Sequence, residues 1–285
     1  MTILITGCNG QLGTEMRLLS EQHTEHRYIF TDVAELDITD FNAILTLMQK
    51  EKVEAVVNCA AYTNVDKAEQ DEPTALLLNA IAVENLGKAA SLTGAKLIHI
   101  STDYVFDGKH YLPYKETDPT CPQTAYGRTK LEGEKRLLQV CPDAVIIRTA
   151  WLYSPFGNNF VKTMLRLGKE RTELRVIFDQ IGTPTYARDL AKAIYTVINA
   201  KQWHSGIYHF SDEGVCSWYD FTSEILRQAN INTCKVTPIH TCEYPTPTPR
   251  PHFSVLDKQK IKDTFGIVIP QWQQSLQHCL QRLIQ

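Results

Sequence analysis

Short apolar runs alternate along the chain with longer amphipathic stretches, the pattern of strands followed by helices. The apolar runs cover residues 1–6, 27–31, 53–58, 96–100 and 144–149. They are rich in β-branched residues and too short for helices, so each predicts a buried strand. Helical periodicity fills 73–93, where Gly94 ends the helix. Repeated strand–helix units predict an α/β fold with a doubly wound parallel sheet of the Rossmann type, which binds ligands at its carboxyl edge.

A second, smaller lobe is expected after the fifth strand. We predict a dinucleotide-binding domain at residues 1–150 and a substrate-binding lobe at 151–174 and 201–285. Residues 175–200 are predicted to return to the sheet, because an apolar run at 176–178 and a helix at 186–199 continue the alternation. The polar stretch 64–71 reads as a loop.

Composition narrows the class of protein. The 285 residues are 43% hydrophobic and 21% charged, with a net charge of −3. This balance favours neither nucleic acid nor anionic lipid as a partner, and no apolar run approaches the ~20 residues of a membrane span. The eight cysteines include no Cys-x-x-Cys pair. Free thiols in a reducing cytoplasm are therefore expected, rather than disulfides or zinc. Both a monomer and a homodimer remain open.

The first strand runs directly into a glycine-rich turn, Gly7-Cys-Asn-Gly10-Gln-Leu-Gly13. Glycine permits positive φ and a close approach of pyrophosphate, and the N–H groups that open the next helix face the anion. The spacing is Gly-x-x-Gly-x-x-Gly rather than Gly-x-Gly-x-x-Gly, so an ordinary strand–helix turn is the alternative.

Asp32 ends the second strand, nineteen residues after Gly13. A carboxylate at this distance is placed to accept hydrogen bonds from the adenosine ribose, which favours NAD. Arg17 or Arg27 could instead admit the 2′-phosphate of NADP. NADH and NADPH therefore both remain open as cofactors, and Asp32 could also be only a turn residue.

Tyr126 and Lys130 stand four residues apart in a predicted helix and so share one face. A free tyrosine has a pKa of about 10, and a neighbouring cation would lower it toward the range of an acid/base catalyst. An isolated Tyr-x-x-x-Lys is more often a solvated helix face. Thr102 follows the fourth strand, twenty-four residues before Tyr126, and its hydroxyl is expected to meet the phenol over one carbonyl.

Together these motifs resemble those of the extended short-chain dehydrogenase/reductases. The resemblance covers nearly the whole chain and rests on residues 5–13, 58–69, 101–108, 126–134, 148–153, 157–161, 179–185 and 250–257. Ser-Thr-Asp-Tyr-Val-Phe at 101–106 and Arg-Pro-x-x-Ser-x-Leu-Asp at 250–257 are most similar to the dTDP-4-dehydrorhamnose reductase family. That likeness implies NAD(P)H-dependent reduction of the C4 ketone of dTDP-4-dehydro-L-rhamnose.

The resemblance also implies roles for particular residues. Tyr126 would donate the proton, Lys130 would lower its pKa and hold the nicotinamide ribose, and Thr102 would bond the same oxygen. The expected cofactor contacts are Gly7, Asn9, Gly10, Gln11, Leu12, Gly13, Asp32, Asp37, Ile38, Ala60, Ala61, Tyr62, Tyr126 and Lys130. The expected substrate contacts are Thr102, Asp103, Tyr126, Trp151, Asn159 and Arg250.

Several of these residues have a structural alternative. Trp151 could be a core aromatic, Asp103 a turn residue and Asn159 a helix N-cap. Arg250 could brace its loop, and His99, inside the fourth strand, reads as a core residue.

No metal is predicted. Some members of the family are dimers bridged by Mg²⁺ through glutamates near the N-terminus, in mid-chain and near the C-terminus. Glu15 matches the first, but Asp189 replaces the second and residues 280–285 carry no carboxylate side chain. His204 and His209 lack the cysteine partners of a zinc site.

Two other functions remain open. One is a non-catalytic, NADP-binding regulatory subunit of the methionine adenosyltransferase type. The other is a nucleotide-sugar epimerase, which keeps its NAD and works without net reduction.

Overall fold

The computed structural model describes residues 1–284, and a parallel sheet of six strands forms its centre. The strands of the whole molecule are β1 Thr2–Thr6, β2 Arg27–Thr31, β3 Ala55–Asn58, β4 Lys96–Thr102, β5 Val145–Thr149, β6 Leu152–Tyr153, β7 Glu173–Ile177, β8 Ile181–Gly182, β9 Thr185–Tyr186, β10 Gly206–His209, β11 Cys216–Ser217 and β12 Lys235–Ile239. The central sheet has the order β2-β1-β3-β4-β5-β10. The predicted α/β fold is confirmed. Because the order reverses between β1 and β3, a binding crevice opens at their carboxyl ends.

Helices cover both faces of this sheet. They are α1 Gln11–Ser20, α2 Phe41–Glu51, α3 Val65–Gln70, α4 Glu72–Leu76, α5 Ala82–Thr93, α6 Ala125–Val140, α7 Phe160–Glu170, α8 Ala187–Ile198, α9 Trp218–Gln228, α10 Gln259–Phe265 and α11 Trp272–Ile284. On one face Met16 of α1 and Ile194 of α8 pack with Ile3. On the other face Leu86 of α5 and Leu137 of α6 pack with Val56. Each such buried side chain stabilises the fold by about 1.5–3 kcal/mol.

The second lobe has its own core and its own short sheets. β7 pairs with β12 in parallel, β6 pairs with β9, and β8 pairs with β11. Helices α7, α9 and α11 contribute Val161, Phe221 and Leu276 to a buried cluster that also holds Tyr153 and Trp272. No helix among the described residues has the length and apolar character needed to cross a membrane.

Two local predictions of secondary structure are corrected. The stretch 64–71 contains α3, because the Asn64 side chain caps its first turn by accepting from the Lys67 N–H. The helix predicted at 73–93 is interrupted by a π-helical turn, Leu77–Ile81, between α4 and α5. Such turns are frequent at functional sites.

Residues 175–200, which were predicted to return to the sheet, divide between the two parts of the molecule. Their helix, α8, packs on the central sheet beside α1, but their strand, β7, pairs with β12 in the second lobe. The sixth strand of the central sheet is β10, within the stretch 201–285 that was expected in the lobe. Strand pairing depends on which edge is available in space, and an apolar run does not specify its partner.

Candidate functional site

Two cavities lie at the carboxyl edge of the central sheet. The first, the sheet-edge cavity, has a volume of about 510 Å³ and is lined by Thr6, Gly7, Gly10, Asp32, Val33, Leu36, Asp37, Ile38, Cys59, Ala60, Ala61 and Leu78. The second, the lobe cavity, has a volume of about 650 Å³. Its lining comes from Tyr104, Trp151, Phe160, Met164, Leu167, Arg171, Glu173, Leu174, Arg175, Val176, Ile177, Gln180, Trp218, Ile239, Glu243, Tyr244, Thr246, Arg250, Pro251 and Ser254.

The glycine turn forms the floor of the sheet-edge cavity. Gly7 has φ +64°, and a Cβ there would lie 2.7 Å from the Ala60 backbone, so only glycine fits. No side chain caps the start of α1 at Gly10, which leaves the first-turn N–H groups of Gln11, Leu12 and Gly13 for a ligand. The Leu12 side chain itself is buried in the core, so only its backbone can serve. This geometry fits the diphosphate of a dinucleotide.

Asp32 lies in the wall of the same cavity. Its Oδ2 accepts from the Asn9 N–H at 3.0 Å and its Oδ1 accepts from the Val33 N–H at 2.9 Å. Asp32 therefore braces the turn while it lines the cavity. Asp37 also lines the cavity, and hydrogen bonds from the Thr39 N–H and hydroxyl hold the pKa of that carboxyl below its usual value.

Gln11 and Asn159 connect the glycine turn to the second lobe. The Asn159 Nδ2 donates to the Gln11 Oε1 at 2.9 Å, and the Asn159 Oδ1 accepts from the Lys162 N–H at 3.1 Å as the N-cap of α7. Asn159 is not among the residues that line either cavity. The structure thus gives Asn159 the capping role and does not bring it to the expected substrate contact.

Tyr126 lies in the first turn of α6, where its ring meets Tyr104 of the lobe cavity edge-on at 5.4 Å. Tyr126 and Tyr62, which follows Ala61 of the sheet-edge cavity, both pack against one small buried cluster, formed by Ala68, Ala75 and Ala125. Gly127 allows this position, because a Cβ there would overlap the Tyr104 carbonyl oxygen. Thr102 ends β4, and its hydroxyl donates to the Asp103 Oδ1 at 2.9 Å.

Lys130 is not among the groups that shift the pKa of Tyr126 in this structure. Burial raises the pKa of Tyr126 to about 12, the Asp103 charge adds to the rise, and the Thr102 hydroxyl opposes it. The Lys130 Nζ instead donates to the Ile100 carbonyl at 2.6 Å and lies 3.3 Å from the His99 Nε2. Burial lowers the pKa of Lys130 to about 8. Desolvation is therefore the main cause of the pKa shifts of both Tyr126 and Lys130.

Aromatic rings and cations line the lobe cavity. The Trp151 ring stacks on Trp218 with centroids 3.4 Å apart, and Trp151 has the left-handed φ of +48°, which is rare for a bulky residue. Arg250 donates to the Asp66 Oδ2 at 2.8 Å, so it braces its loop and lines the cavity at once. These surfaces suit a planar ring and an anionic group.

Asp103 is buried beside Thr102. Burial raises the pKa of its carboxyl to about 7, against hydrogen bonds from Thr102 and Ser254 that lower it. Its Oδ2 has no protein partner among the described residues. A carboxyl in this state can either donate or accept a hydrogen bond near neutral pH.

Several site residues were missed in the sequence. Tyr104, Trp218 and Ser254 line the lobe cavity. Asn79, in the π-helical turn, accepts from the Tyr62 N–H at 2.9 Å and donates to the Tyr62 carbonyl at 3.1 Å. Of these residues, Asn79 alone could have been noticed from the sequence, because it is a polar residue inside an apolar helical repeat.

The carboxylates considered for a metal are already paired. Glu15 is buried against Arg188 at 3.3 Å and Arg282 at 2.6 Å. Asp189 accepts from Ser275 at 2.7 Å. Two guanidinium groups balance the charge of Glu15, so these residues do not fit a divalent cation. His209 is buried and bonds the Tyr114 carbonyl, in a structural role.

The chain is similar to known proteins over its whole length. The family model described as RmlD substrate binding domain matches residues 1–285. A dTDP-4-dehydrorhamnose reductase from Aggregatibacter actinomycetemcomitans is 41% identical and covers 97% of each chain. The crystal structure of a dTDP-4-dehydrorhamnose reductase from Clostridium acetobutylicum has a TM-score of 0.96, 46% identity and full coverage of both chains. A Bacillus anthracis reductase of that name, solved in complex with NADP, has a TM-score of 0.93, 38% identity and 99% coverage of both chains. The chain belongs to the RmlD family of dTDP-4-dehydrorhamnose reductases.

Proposed function

We propose that this chain reduces the C4 ketone of dTDP-4-dehydro-L-rhamnose to dTDP-L-rhamnose with NAD(P)H as the reductant. The position of Tyr126 carries the proposal. Its ring contacts Tyr104 of the lobe cavity, and its hydroxyl lies within reach of Thr102 at the carboxyl end of β4. A phenol in that position can donate to a carbonyl in the lobe cavity that faces a nicotinamide bound along the carboxyl edge of the sheet.

The residues of the sheet-edge cavity suit a nicotinamide dinucleotide. The glycine turn and the start of α1 would hold the diphosphate, and Asp32 would accept from the adenosine ribose. Lys130 would donate to the nicotinamide ribose. When bound, the reduced nicotinamide supplies the hydride that reaches the C4 carbon.

Tyr126 supplies the proton in this proposal. Its raised pKa, about 12, keeps the phenol protonated at neutral pH, which is the state that a proton donor needs. As charge grows on the carbonyl oxygen, that oxygen becomes a stronger base than the phenolate, so the proton moves to it. Thr102 lies beside the phenol and would donate a hydrogen bond to the same oxygen.

The lobe cavity suits a nucleoside-diphosphate sugar. Arg250 and Arg171 would attract the diphosphate, and the stacked Trp151 and Trp218 rings offer a surface for the base or the sugar. Asp103, with a pKa of about 7, would bond a sugar hydroxyl. The residues around this cavity would form the substrate-binding lobe. Strand β10 would not belong to that lobe, because it is part of the central sheet.

The two other functions are not favoured. A regulatory subunit needs no proton donor, yet this chain keeps buried Thr102 and Lys130 with a partly buried Tyr126, the three residues that ketone reduction would use. An epimerase keeps its nucleotide and consumes none. Stoichiometric oxidation of added nucleotide separates both of them from a reductase.

All eight cysteines are free thiols. A reducing compartment such as the cytoplasm suits that state, and we propose it as the location.

The test of the function is a substrate-dependent oxidation assay. The protein is mixed with dTDP-4-dehydro-L-rhamnose and either NADPH or NADH, and nicotinamide absorbance is followed. We expect one nucleotide to be oxidised per sugar reduced. The same sugar linked to UDP is the matched substrate control for nucleotide choice. Absence of sugar-dependent oxidation with both cofactors would refute the proposal.

Asp32→Ala is expected to weaken NADH binding by about 10-fold to 100-fold, because hydrogen bonds from the ribose to a charged acceptor are lost. NADPH binding should weaken less, since the carboxylate no longer repels the 2′-phosphate. Nucleotide titrations followed by nicotinamide fluorescence measure both affinities. Asp32→Asn is the control, because it retains an oxygen for the Asn9 N–H. Equal losses for the two nucleotides would show that Asp32 does not touch the ribose.

A further inference from the structure

A buried histidine lies directly beneath Lys130. His99 is on β4, fully enclosed, with its ring between Asn58 of β3 and Lys130 of α6. Its Nδ1 is 3.0 Å from the Asn58 Nδ2, and its Nε2 is 3.3 Å from the Lys130 Nζ. The proposed function gives no role to this ring, although both of its nitrogens are engaged.

The hydrogen bonds that connect Ala60, Asn58 and His99 determine the tautomer of His99. The Ala60 N–H, which can only donate, points at the Asn58 Oδ1 from 3.1 Å, and the Thr6 hydroxyl donates to the same oxygen at 2.7 Å. The Asn58 amide is therefore oriented with its Nδ2 toward His99. Because that nitrogen is a donor, the His99 Nδ1 must accept, and the single proton of the neutral ring lies on Nε2.

This tautomer affects the protonation of Lys130. An N–H at the His99 Nε2 faces the Lys130 Nζ. An ammonium group has no lone pair, so that contact would join two donors, whereas a free amine can accept the N–H. The other contact of the Nζ, to the Ile100 carbonyl, is satisfied by either form.

The other charged groups around Lys130 do not remove its preference for the free amine. Burial lowers the pKa of Lys130 to about 8, and the Glu134 carboxylate, one turn along α6, acts in the opposite direction. Glu134, however, is paired with Arg148 of β5 at 2.6 Å and accepts from Ser101 of β4. Tyr126, one turn back, is a neutral phenol near neutral pH. Burial holds the pKa of His99 well below its usual value, so the ring is neutral.

We propose that His99 is a positioning residue that presents its Nε2–H to Lys130, so that the protein without nucleotide holds Lys130 largely as a free amine at mildly alkaline pH and takes up a proton when nicotinamide nucleotide binds. The proton comes from solvent and forms the third N–H bond of the ammonium. Ribose hydroxyl oxygens then supply acceptors for its N–H groups. The part of the proposal that concerns nucleotide binding rests on the proposed function, whereas the tautomer does not.

The pKa of Lys130 determines how proton uptake on nucleotide binding depends on pH. Below about pH 7 the free protein already carries the ammonium, so binding takes up almost no proton. At about pH 8.5, above the pKa of about 8 in the free protein, most of Lys130 is the free amine, so binding that restores the ammonium takes up ~0.7 proton per nucleotide.

The first experiment reads the tautomer in the protein alone. Proton-detected ¹⁵N NMR of histidine-labelled protein is expected to show His99 protonated on Nε2. His209 is the internal reference, because its Nδ1 faces the Tyr114 carbonyl and must carry the proton of that ring. His99→Gln and His209→Gln assign the two signals. A proton on the His99 Nδ1 would overturn the proposal, whatever the sugar assay shows.

The second experiment reads proton uptake by calorimetry of NADPH binding at about pH 8.5 in two buffers of different ionisation enthalpy. At this pH the 2′-phosphate, with a pKa of about 6, does not titrate. Asn58→Asp offers an oxygen to the His99 Nδ1, moves the ring proton there and frees the Nε2 to accept from the ammonium. We expect uptake of ~0.7 proton in the unchanged protein and at least a threefold loss in Asn58→Asp. Uptake near zero in the unchanged protein, or equal uptake in both, would contradict the proposal.

Discussion

Tyr126→Phe is expected to lower kcat for ketone reduction by about 10²-fold to 10⁴-fold, the range that general acid catalysis contributes. The ring keeps its packing against Tyr104 and the small cluster around Ala125, so the variant should fold and bind nucleotide with nearly unchanged affinity. Only the proton that meets the developing oxyanion is lost. Because the effect lies in the chemical step, kcat should fall while nucleotide Kd stays within about twofold.

Single-turnover oxidation of bound NADPH and a nucleotide titration measure the two quantities separately. Tyr153→Phe is the matched control, because its hydroxyl is buried in the core of the second lobe and has no hydrogen-bond partner among the described residues. It should leave turnover unchanged. If Tyr126→Phe reduced the ketone as fast as Tyr153→Phe, another group would have to donate the proton.

Arg148→Met is expected to lower the free energy of unfolding by about 3–5 kcal/mol. Arg148 and Glu134 form an ion pair in which both side chains are at most 3% exposed, with an Nη2–Oε2 distance of 2.6 Å. Removing the guanidinium leaves the Glu134 carboxylate buried, with the Ser101 hydroxyl as its one remaining hydrogen-bond donor among the described residues. The penalty is the cost of an uncompensated charge at low dielectric, and it exceeds the net worth of the intact pair.

Urea unfolding followed by circular dichroism measures the effect. Arg136→Met is the matched control, because Arg136 lies on α6 with Glu134 but pairs with Glu132 at 2.7 Å near the surface, so its loss should cost no more than about 1 kcal/mol. Adding Glu134→Leu to Arg148→Met should restore part of the loss, since no buried charge remains. Equal losses for the two arginines would show that burial of the pair does not matter.

Much of the scaffold could be predicted from local pattern. The β2 strand was predicted with its observed ends, and β1, β3, β4 and β5 within two residues, because a buried parallel strand is a short apolar run whatever surrounds it. The rule that ligands bind at the carboxyl ends of such strands then placed Gly7, Asp32 and Ala60 around one cavity.

The second lobe was less predictable. Its strands β6, β8, β9 and β11 have two residues each, too few for a periodic signal. Trp218, the first residue of α9, stacks on Trp151, which follows β5, and this contact joins positions far apart in the chain. The capping roles of Asn64 and Asn159 depend on where a helix starts in space.

By itself the sequence determined the parallel α/β architecture, the glycine turn at the start of α1 and the shared helix face of Tyr126 and Lys130, because these follow from residue spacing along one element. The tertiary structure alone decided the electrostatic state of that pair. Burial raises the pKa of Tyr126 and lowers that of Lys130, while His99 and Asn58 approach from separate strands. Desolvation depends on everything that surrounds a group, and no spacing along the chain records it.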